Sequence, residues 1–219
     1  FIQVGSHDGV MHDPLREFIL QNNWKGLLIE PQKEMLEQCK NNYVDVDNLT
    51  FVNCAVHPTE SFVKLYKVNN AQDYSHTGWA SIDPNRFSNT IYENSFIEEK
   101  VKAKPLMKII NENKFFFIDL LQIDTEGFDS EVIEMLDFNV YKPTLIQYEH
   151  KHLSNNQKNK TVNSLSSKGY FTIDKKNDTI AIQKELITGI FILKYIFLRL
   201  IESISSRFNN YIQTVSKKN

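Results

Sequence analysis

Phe1-Ile-Gln-Val-Gly-Ser-His-Asp-Gly9, together with Leu27-Leu-Ile-Glu-Pro31, decides the fold of this chain. The first stretch predicts a short buried strand and a glycine-bounded turn, and the second predicts a strand that ends on an acidic residue. Glu30 follows Gly9 at nearly the spacing of about 20 residues at which an acidic side chain accepts hydrogen bonds from a ribose. Together the two stretches predict half of a nucleotide-binding crevice.

The composition is that of an ordinary globular protein. The chain has 219 residues, 41% hydrophobic and 24% charged, which suits one α/β domain with an appendage. A formal net charge of −2 argues against a nucleic-acid partner. Cys39 and Cys54 form neither a metal-ligand spacing nor a disulfide framework, which predicts a reducing, cytoplasmic location. Because the chain opens inside a strand without a methionine, we expect that upstream residues are missing.

Strands and helices alternate along residues 1–184, which we expect to form the main domain. Strands separated by helices predict a mostly parallel sheet with helices on both faces, and a turn at 177–178 predicts one antiparallel strand at its end. The predicted strands are 1–4, 26–30, 49–56, 61–68, 100–103, 115–124, 144–149, 170–174 and 179–183. The first predicted helix begins at Asp13-Pro14. The other predicted helices cover 33–42, 105–111, 130–136 and 155–167.

Residues 69–98 are the least regular part of the domain. They are rich in Asn, Ser, Asp and Thr, and they carry scattered aromatic residues, including Trp79. A long loop with aromatic residues predicts a lid or an acceptor-binding loop. The equally weighted alternative is a surface loop whose aromatic residues pack into the core.

The tail, residues 185–219, has a different pattern. Apolar residues recur at nearly three-four spacing from Leu186 to about Val215, which predicts an amphipathic helix. The densest part is shorter than the roughly 20 apolar residues that a spanning helix needs. Three partners for the apolar stripe stay open: the chain's own domain, a second copy in a homodimer, and peripheral contact with the inner face of the membrane.

Several motifs resemble the FkbM family of S-adenosylmethionine-dependent methyltransferases. The resemblance begins with Gln3-Val-Gly-Ser-His-Asp-Gly-Val10 and Trp24-Lys-Gly-Leu-Leu-Ile-Glu-Pro31, and continues in order through Asn53-Cys-Ala-Val56, Leu121-Gln-Ile-Asp-Thr-Glu-Gly-Phe-Asp-Ser-Glu-Val132 and 143–149. It covers roughly residues 1 to 183. It implies a Rossmann-like class I fold with a seven-stranded sheet, and methyl transfer, usually to a hydroxyl of a sugar or a related natural product.

The resemblance also implies the cofactor site. The turn Gly5-Ser6-His7-Asp8-Gly9, with Gln3 before it, would lie beneath the amino-acid part of S-adenosylmethionine. Glu30 and Pro31 would lie at the ribose, Asn53 and Ala55 near the adenine, and Asp124 beside the sulfonium. Ser6 and His7 stand where Ala and Asn are frequent in the family, and Gln3 stands where many methyltransferases have an acidic residue. Asp8 has an alternative role as a helix cap.

Acidic and histidine residues follow two predicted strands, where ligands of open α/β sheets bind. We expect His150 to be the general base, because imidazole titrates closest to neutral pH. Asp124 and Glu126 are the next candidates. Glu149, His152 and Trp79 are predicted to contact the acceptor. The same acidic residues with His150 offer ligands for magnesium, but their spacing does not define a geometry, so a metal is not favoured.

The sequence therefore predicts an O-methyltransferase that acts on a glycan, a glycolipid or a surface polysaccharide and leaves S-adenosylhomocysteine. Two alternatives stay open: a methyltransferase for a small metabolite with an O or N acceptor, and a Rossmann-like module that has lost catalysis. A dehydrogenase is disfavoured because the first turn lacks the G-x-G-x-x-G form.

Overall fold

A seven-stranded sheet organises the structure, a computed structural model that describes residues 1–187. Residues 1–182 form one compact unit. The strands are β1 (Ile2–Val4), β2 (Gly26–Ile29), β3 (Leu49–Val52), β4 (Ala55–Val56), β5 (Phe62–Val68), β6 (Ala80–Ser81), β7 (Phe96–Lys104), β8 (Leu120–Ile123), β9 (Leu145–Glu149), β10 (Tyr170–Lys175) and β11 (Asp178–Gln183). The helices are α1 (Arg16–Asn22), α2 (Lys33–Asn42), α3 (Leu106–Glu112), α4 (Asp129–Glu134) and α5 (Asn155–Ser167).

The main sheet has the order β3-β2-β1-β8-β9-β11-β10. Its first five strands pair in parallel, while β11 runs antiparallel to β9. The order reverses between β1 and β8, so the carboxyl ends of these two strands form the crevice where open α/β sheets bind ligands. This topology confirms the predicted Rossmann-like sheet and its one antiparallel strand.

Helices cover both faces of the central strands, as expected for buried parallel strands. On one face, Ile2 and Val4 of β1 pack with residues of α3 and α4, including Ile109 and Val132. On the other face, Leu28 of β2 packs with Ile19 of α1 and with residues of α2. The central strands are mostly apolar on both faces for this reason, and the glutamines at Gln3, Gln122 and Gln147 are exceptions.

A second, four-stranded sheet has the order β4-β7-β5-β6. In the chain, the segment predicted to be irregular lies mostly between β5 and β7 of this sheet. It contains two 3₁₀ helices, Tyr74–Gly78 and Pro84–Phe87, and the short β6. Two of its aromatic residues, Phe87 and Tyr92, are buried, so the packing alternative holds for these two. Within this segment, residues 73–87 contribute to a wall of the site described below, and we call them the strap.

Two predicted boundaries are wrong. Residues 49–56 form two strands in different sheets, because the chain leaves the strand conformation at Asn53 and Cys54. The fourth core strand, Leu120–Ile123, lies within the predicted range 115–124, and the preceding Phe116 and Phe117 are exposed. Helix α1 begins at Arg16; Asp13 instead accepts hydrogen bonds from the Leu15 amide, the Gln3 amide and the Tyr43 hydroxyl.

The predicted tail helix, Leu186 to about Val215, lies almost entirely outside the described residues. The described chain ends with a 3₁₀ turn at Lys184–Leu186. Among residues 1–187, no helix combines the length and the apolar content that crossing a bilayer requires.

Candidate active site

A cavity of about 540 Å³ opens at the carboxyl edge of the main sheet, above the ends of β1, β2, β8 and β9. This position matches the crevice at the strand-order reversal. The predicted site residues that line it are Gln3, Gly5, Ser6, His7, Glu30, Pro31, Ala55, Trp79, Asp124, Glu126 and Glu149. The predicted residues outside its lining are Asp8, Gly9, Asn53, His150 and His152.

The turn after β1 brings the backbone against the neighbouring strand. Gly5 has φ +84°, and a Cβ placed on it would lie 1.8 Å from the Asp124 carbonyl oxygen. No side chain fits there, which explains the glycine. The Gly5 and Ser6 amides both donate to the Ile29 carbonyl at 2.9 and 3.2 Å. The turn is thereby held at the floor of the cavity.

Glu30 is held at the end of β2 by two backbone amides. Its Oε2 accepts from the His7 amide and its Oε1 accepts from the Gln32 amide, both at 2.9 Å. The side chain is 4% exposed, and this burial raises the pKa of Glu30 to about 7 despite the two amides. Each carboxylate oxygen keeps a lone pair for a further donor. Asn53 supports this strand end by donating to the Glu30 and Pro31 carbonyls.

Asp8 and Gly9 support the turn from outside the cavity. Asp8 accepts from the Val10 and Met11 amides and from the Tyr74 hydroxyl, so it stabilises the turn itself and does not cap α1, which begins at Arg16. A Cβ on Gly9 would lie 2.5 Å from the Tyr43 ring. Gly9 therefore serves the packing of α2 against the turn.

Glu126, Glu149 and His152 form a cluster beyond β8 and β9. His152 Nε2 lies 3.1 Å from Glu126 Oε2 and 3.5 Å from Glu149 Oε2. Neither His152 Nε2 nor Glu149 Oε2 makes a well-directed hydrogen bond, although both atoms are buried. Arg86 Nε donates to Glu126 Oε2 at 2.6 Å. Glu126 thus has two basic neighbours, Arg86 and His152, whereas Glu149 has only the more distant His152 within 4 Å among the described residues.

The local charges separate the pKa values of this cluster. Burial, and then the charges of Glu126 and Asp129, raise the pKa of Glu149 to about 8. Burial alone would also raise the pKa of Glu126, but His152 and Arg86 hold it below its usual value. Asp124 is open to solvent through the cavity but is otherwise surrounded by protein. Burial, followed by the charge of Glu126, raises the pKa of Asp124 well above its usual value.

A model of the methyltransferase FkbM domain matches residues 3–178. This match spans the turn, Glu30 and the acidic cluster. The chain belongs to the FkbM methyltransferase family. A search of curated protein sequences finds no significant match.

Solved structures similar to this FkbM methyltransferase include precorrin-6y C5,15-methyltransferase from Geobacter metallireducens GS-15 (12% identity, 83% of this chain and 79% of that chain covered, TM-score 0.43). A putative methyltransferase from Thermoplasma acidophilum has 13% identity, coverages of 85% and 68%, and a TM-score of 0.41. The delta-N METTL16 MTase domain has 11% identity, coverages of 84% and 72%, and a TM-score of 0.46. The fold assignment rests on strand order, not on these scores.

His150 lies away from the cavity of this FkbM methyltransferase. Successive residues of a strand point to opposite faces, so Glu149 faces the cavity while Tyr148 and His150 border a separate hollow on the other face. His150 Nδ1 lies 2.8 Å from Thr179 Oγ1. His150 was predicted to share a site with Glu149, and the structure instead places the two on opposite faces of the sheet. The alternation of side chains along the strand was the signal that separates them.

Trp79 lies in the cavity wall, where other side chains already contact its ring. The Arg86 guanidinium lies 5.0 Å from the Trp79 ring centroid, and the His76 ring lies 4.4 Å away. Arg86 therefore packs on Trp79 within the strap and joins the strap to Glu126 through its Nε hydrogen bond. At the other end of the strap, Thr77 Oγ1 lies 3.0 Å from His7 Nε2, and Gln32 donates to the Thr77 carbonyl. The strap connects the turn after β1 with the acidic cluster.

Several site residues were missed by the sequence reasoning. Arg86 and Thr77 sit in an irregular segment far from their partners in sequence, so no local pattern indicated their contacts. Asp129 is fully buried and accepts from Thr125 Oγ1 at 2.8 Å and from the Glu149 amide at 3.2 Å. Its place two residues after Gly127 in the Asp-Thr-Glu-Gly-Phe-Asp motif was the available signal.

The cluster offers a geometry that could hold a cation. Glu126, Glu149 and His152 each present one ligand atom, and these atoms lie within 4.8 Å of one another. Arg86 already places a positive charge on Glu126, so a metal would have to compete with it. Metal-independent catalysis stays a prediction.

Proposed function

We propose that this FkbM methyltransferase uses S-adenosylmethionine to methylate a hydroxyl group of a sugar, in a glycan, a glycolipid or a surface polysaccharide. The observation that carries the proposal is the shared cavity of Glu30 and Glu149. Glu30 is suited to bind ribose hydroxyls, and Glu149 is suited to remove a proton. Both side chains line the same cavity, as methyl transfer from a nucleoside cofactor to an alcohol requires.

The first half of the cavity fits the cofactor. Gly5 lets the turn pack directly against the Asp124 backbone, which holds the turn at the floor of the cavity where the cofactor would bind. Gln3 Oε1 is buried without a hydrogen-bond partner, and an ammonium group such as that of methionine would satisfy it. Glu30 offers its remaining lone pairs to ribose hydroxyls, and Cys54, Ala55 and Val56 provide an apolar surface beside it.

S-adenosylmethionine supplies a methyl group on a positively charged sulfur, and its transfer leaves S-adenosylhomocysteine. The protein must orient the acceptor and remove its proton. Glu149 is the proposed base: it faces the cavity, its Oε2 carries no well-directed hydrogen bond, and burial raises the pKa of Glu149 to about 8. The hydroxyl proton passes to Glu149, with His152 at 3.5 Å to share it.

Asp124 and Glu126 have supporting roles in this scheme. Asp124 ends β8 inside the cavity, where its carboxylate faces the reacting groups. Glu126 keeps Arg86 and His152 in position through its Oε2 contacts at 2.6 and 3.1 Å. We therefore assign the base to Glu149, charge stabilisation to Asp124, and orientation of the cluster to Glu126.

Two measurements test the proposal. Isothermal titration calorimetry should show S-adenosylhomocysteine binding and no binding of reduced nicotinamide dinucleotide. Incubation with tritiated methyl donor and extracted cell-surface polysaccharide should label the polysaccharide fraction, with base-stable ether linkage. Binding of the dinucleotide in place of S-adenosylhomocysteine would refute the cofactor assignment. Label found only on small metabolites or on amines would refute the sugar hydroxyl acceptor.

A further inference from the structure

Three glutamines form a row across the sheet floor of the cavity. Gln3 of β1 pairs in register with Gln122 of β8, and Gln122 pairs with Gln147 of β9. All three line the cavity. Residues in register on neighbouring strands point to the same face, so the row runs at right angles to the strands, two residues below the strand ends that carry Gly5, Asp124 and Glu149.

Glutamine is unusual in central strands that otherwise bury apolar side chains. Gln3 is 2% exposed and Gln122 is 4% exposed, and the amide oxygen of each is buried without a hydrogen-bond partner. A buried acceptor without a donor costs stability, and nearly all buried polar groups in native proteins are paired. These oxygen atoms therefore point to a ligand that donates hydrogen bonds.

The two ends of the row differ in their surroundings. Gln3 lies beneath the turn that holds the proposed cofactor and donates to Asp13 at 3.0 Å. Gln122 and Gln147 lie below Asp124 and Glu149, on the part of the floor next to the proposed base. Nothing in the proposed cofactor site uses this second part of the floor.

Resting on the proposed function, we infer that Gln122 and Gln147 form the acceptor subsite and select an uncharged, hydroxyl-rich ring over an anionic one. An amide group both donates and accepts, which suits sugar hydroxyls. Asp124, Glu149 and Asp178 line this part of the cavity, and Lys151 is the basic residue that accompanies them. A carboxylate or phosphate on the acceptor would bring no donor to Gln122. Above about pH 8, where Glu149 is mostly ionised, it would also face more acidic than basic charges, so the binding test is run at pH 9.

The test uses methyl glycosides as probes with the full chain saturated by S-adenosylhomocysteine. Saturation-transfer NMR would compare methyl glucoside, methyl galactoside and methyl rhamnoside with methyl glucuronoside. Methyl glucoside and methyl glucuronoside differ by one carboxylate. We expect binding of at least one neutral glycoside, and at least about tenfold weaker binding of methyl glucuronoside than of methyl glucoside.

Matched variants assign the binding to the row. Gln122→Met and Gln147→Met keep the side-chain length and remove the hydrogen-bonding groups, while Gln21→Met on the exposed part of α1 is the control. We expect loss of the neutral-glycoside signal in the first two variants, unchanged affinity for S-adenosylhomocysteine, and wild-type behaviour of the control. For Gln122→Met, removing the unpaired oxygen should also raise the melting temperature by about 2–4 °C.

The outcomes separate this inference from the proposed function. Neutral glycosides that bind both Met variants normally, or glucuronoside that binds as well as glucoside, would overturn the subsite. So would a wild-type protein that binds S-adenosylhomocysteine but no neutral glycoside. Loss of S-adenosylhomocysteine affinity in the Met variants would place the row in the cofactor site, and the proposed function would survive. Absence of S-adenosylhomocysteine binding in the wild type would refute both.

Discussion

The Glu30 carboxylate accepts a hydrogen bond from the His7 amide at 2.9 Å. This contact joins the end of β2 to the turn after β1. The second Glu30 oxygen holds the Gln32 amide at the same distance. The buried Glu30 side chain therefore positions both backbone segments that border the proposed cofactor site. Its replacement by alanine would remove the structural hydrogen bonds and the proposed ribose contact together.

The first prediction concerns the stability of Glu30 variants. Glu30→Ala leaves two backbone amides without their acceptor, so we expect the free energy of unfolding to fall by about 1–3 kcal/mol. Glu30→Gln keeps a carbonyl acceptor and should lose less. Urea denaturation followed by circular dichroism measures both. Equal stability of the wild type and the Ala variant would show that the two hydrogen bonds contribute nothing to the fold.

The second prediction concerns stability as a function of pH. The pKa values of Glu30, Asp129 and Glu149 are raised to about 7, 6 and 8 by burial. The folded protein therefore binds more protons than the unfolded chain above pH 4.5, and stability should fall as pH rises from about 5 to about 8. Urea unfolding at several pH values checks this slope, which should be shallower in Glu149→Gln. A slope of opposite sign would contradict the assignment.

The third prediction separates Glu149 from His150. Glu149→Gln should lower methyl transfer by about a hundredfold or more, since a general base contributes about 10²–10⁴-fold. In the wild type, the rate should rise with pH towards a plateau above about pH 8, because the pKa of Glu149 is raised to about 8. His150→Ala is the matched control and should retain activity. A large loss of activity in His150→Ala with normal activity in Glu149→Gln would show that His150, and not Glu149, is the general base.

Glu149 and His150 show which part of the site could not be predicted from the sequence. Both follow the same strand, and the preference for histidine rested on its solution pKa. The structure shows that strand parity decides which side chain reaches the cavity, while burial and nearby acidic groups raise the pKa of the glutamate. The alternation of side chains could be read from the sequence, but the burial and the acidic neighbours of Glu149 depend on which strands are neighbours.

Other parts of the site were predictable because they depend on local geometry. Gly5 was indicated by the tight turn, and its contact with the Asp124 carbonyl supplies the reason. Glu30 was indicated by its place after a buried strand. In contrast, Arg86 reaches Glu126 from an irregular segment, and Asn53 supports the chain between β3 and β4 in a region predicted to be one strand. Long-range contacts of this kind leave no periodic pattern.

The fourth prediction concerns Gly5. Gly5→Ala would place a Cβ 1.8 Å from the Asp124 carbonyl oxygen at a φ of +84°, so the turn must move. We expect a loss of several kcal/mol in stability and no detectable cofactor binding. Gly78→Ala in the strap is the control, since the nearest atom there is the Met11 side-chain methyl at 3.3 Å. Thermal denaturation and calorimetry compare the two, and equal effects would contradict a specific need for glycine at Gly5.

The central claim is that the cavity at the ends of β1 and β2 binds S-adenosylmethionine through Glu30. The most direct measurement is the calorimetric affinity of S-adenosylhomocysteine for the wild type and for Glu30→Gln at pH 8, where the wild-type carboxyl is mostly ionised. The account predicts measurable binding to the wild type and at least about tenfold weaker binding to the folded variant, because Glu30→Gln removes a charge-assisted hydrogen bond. Unchanged affinity in the folded Glu30→Gln variant would contradict it.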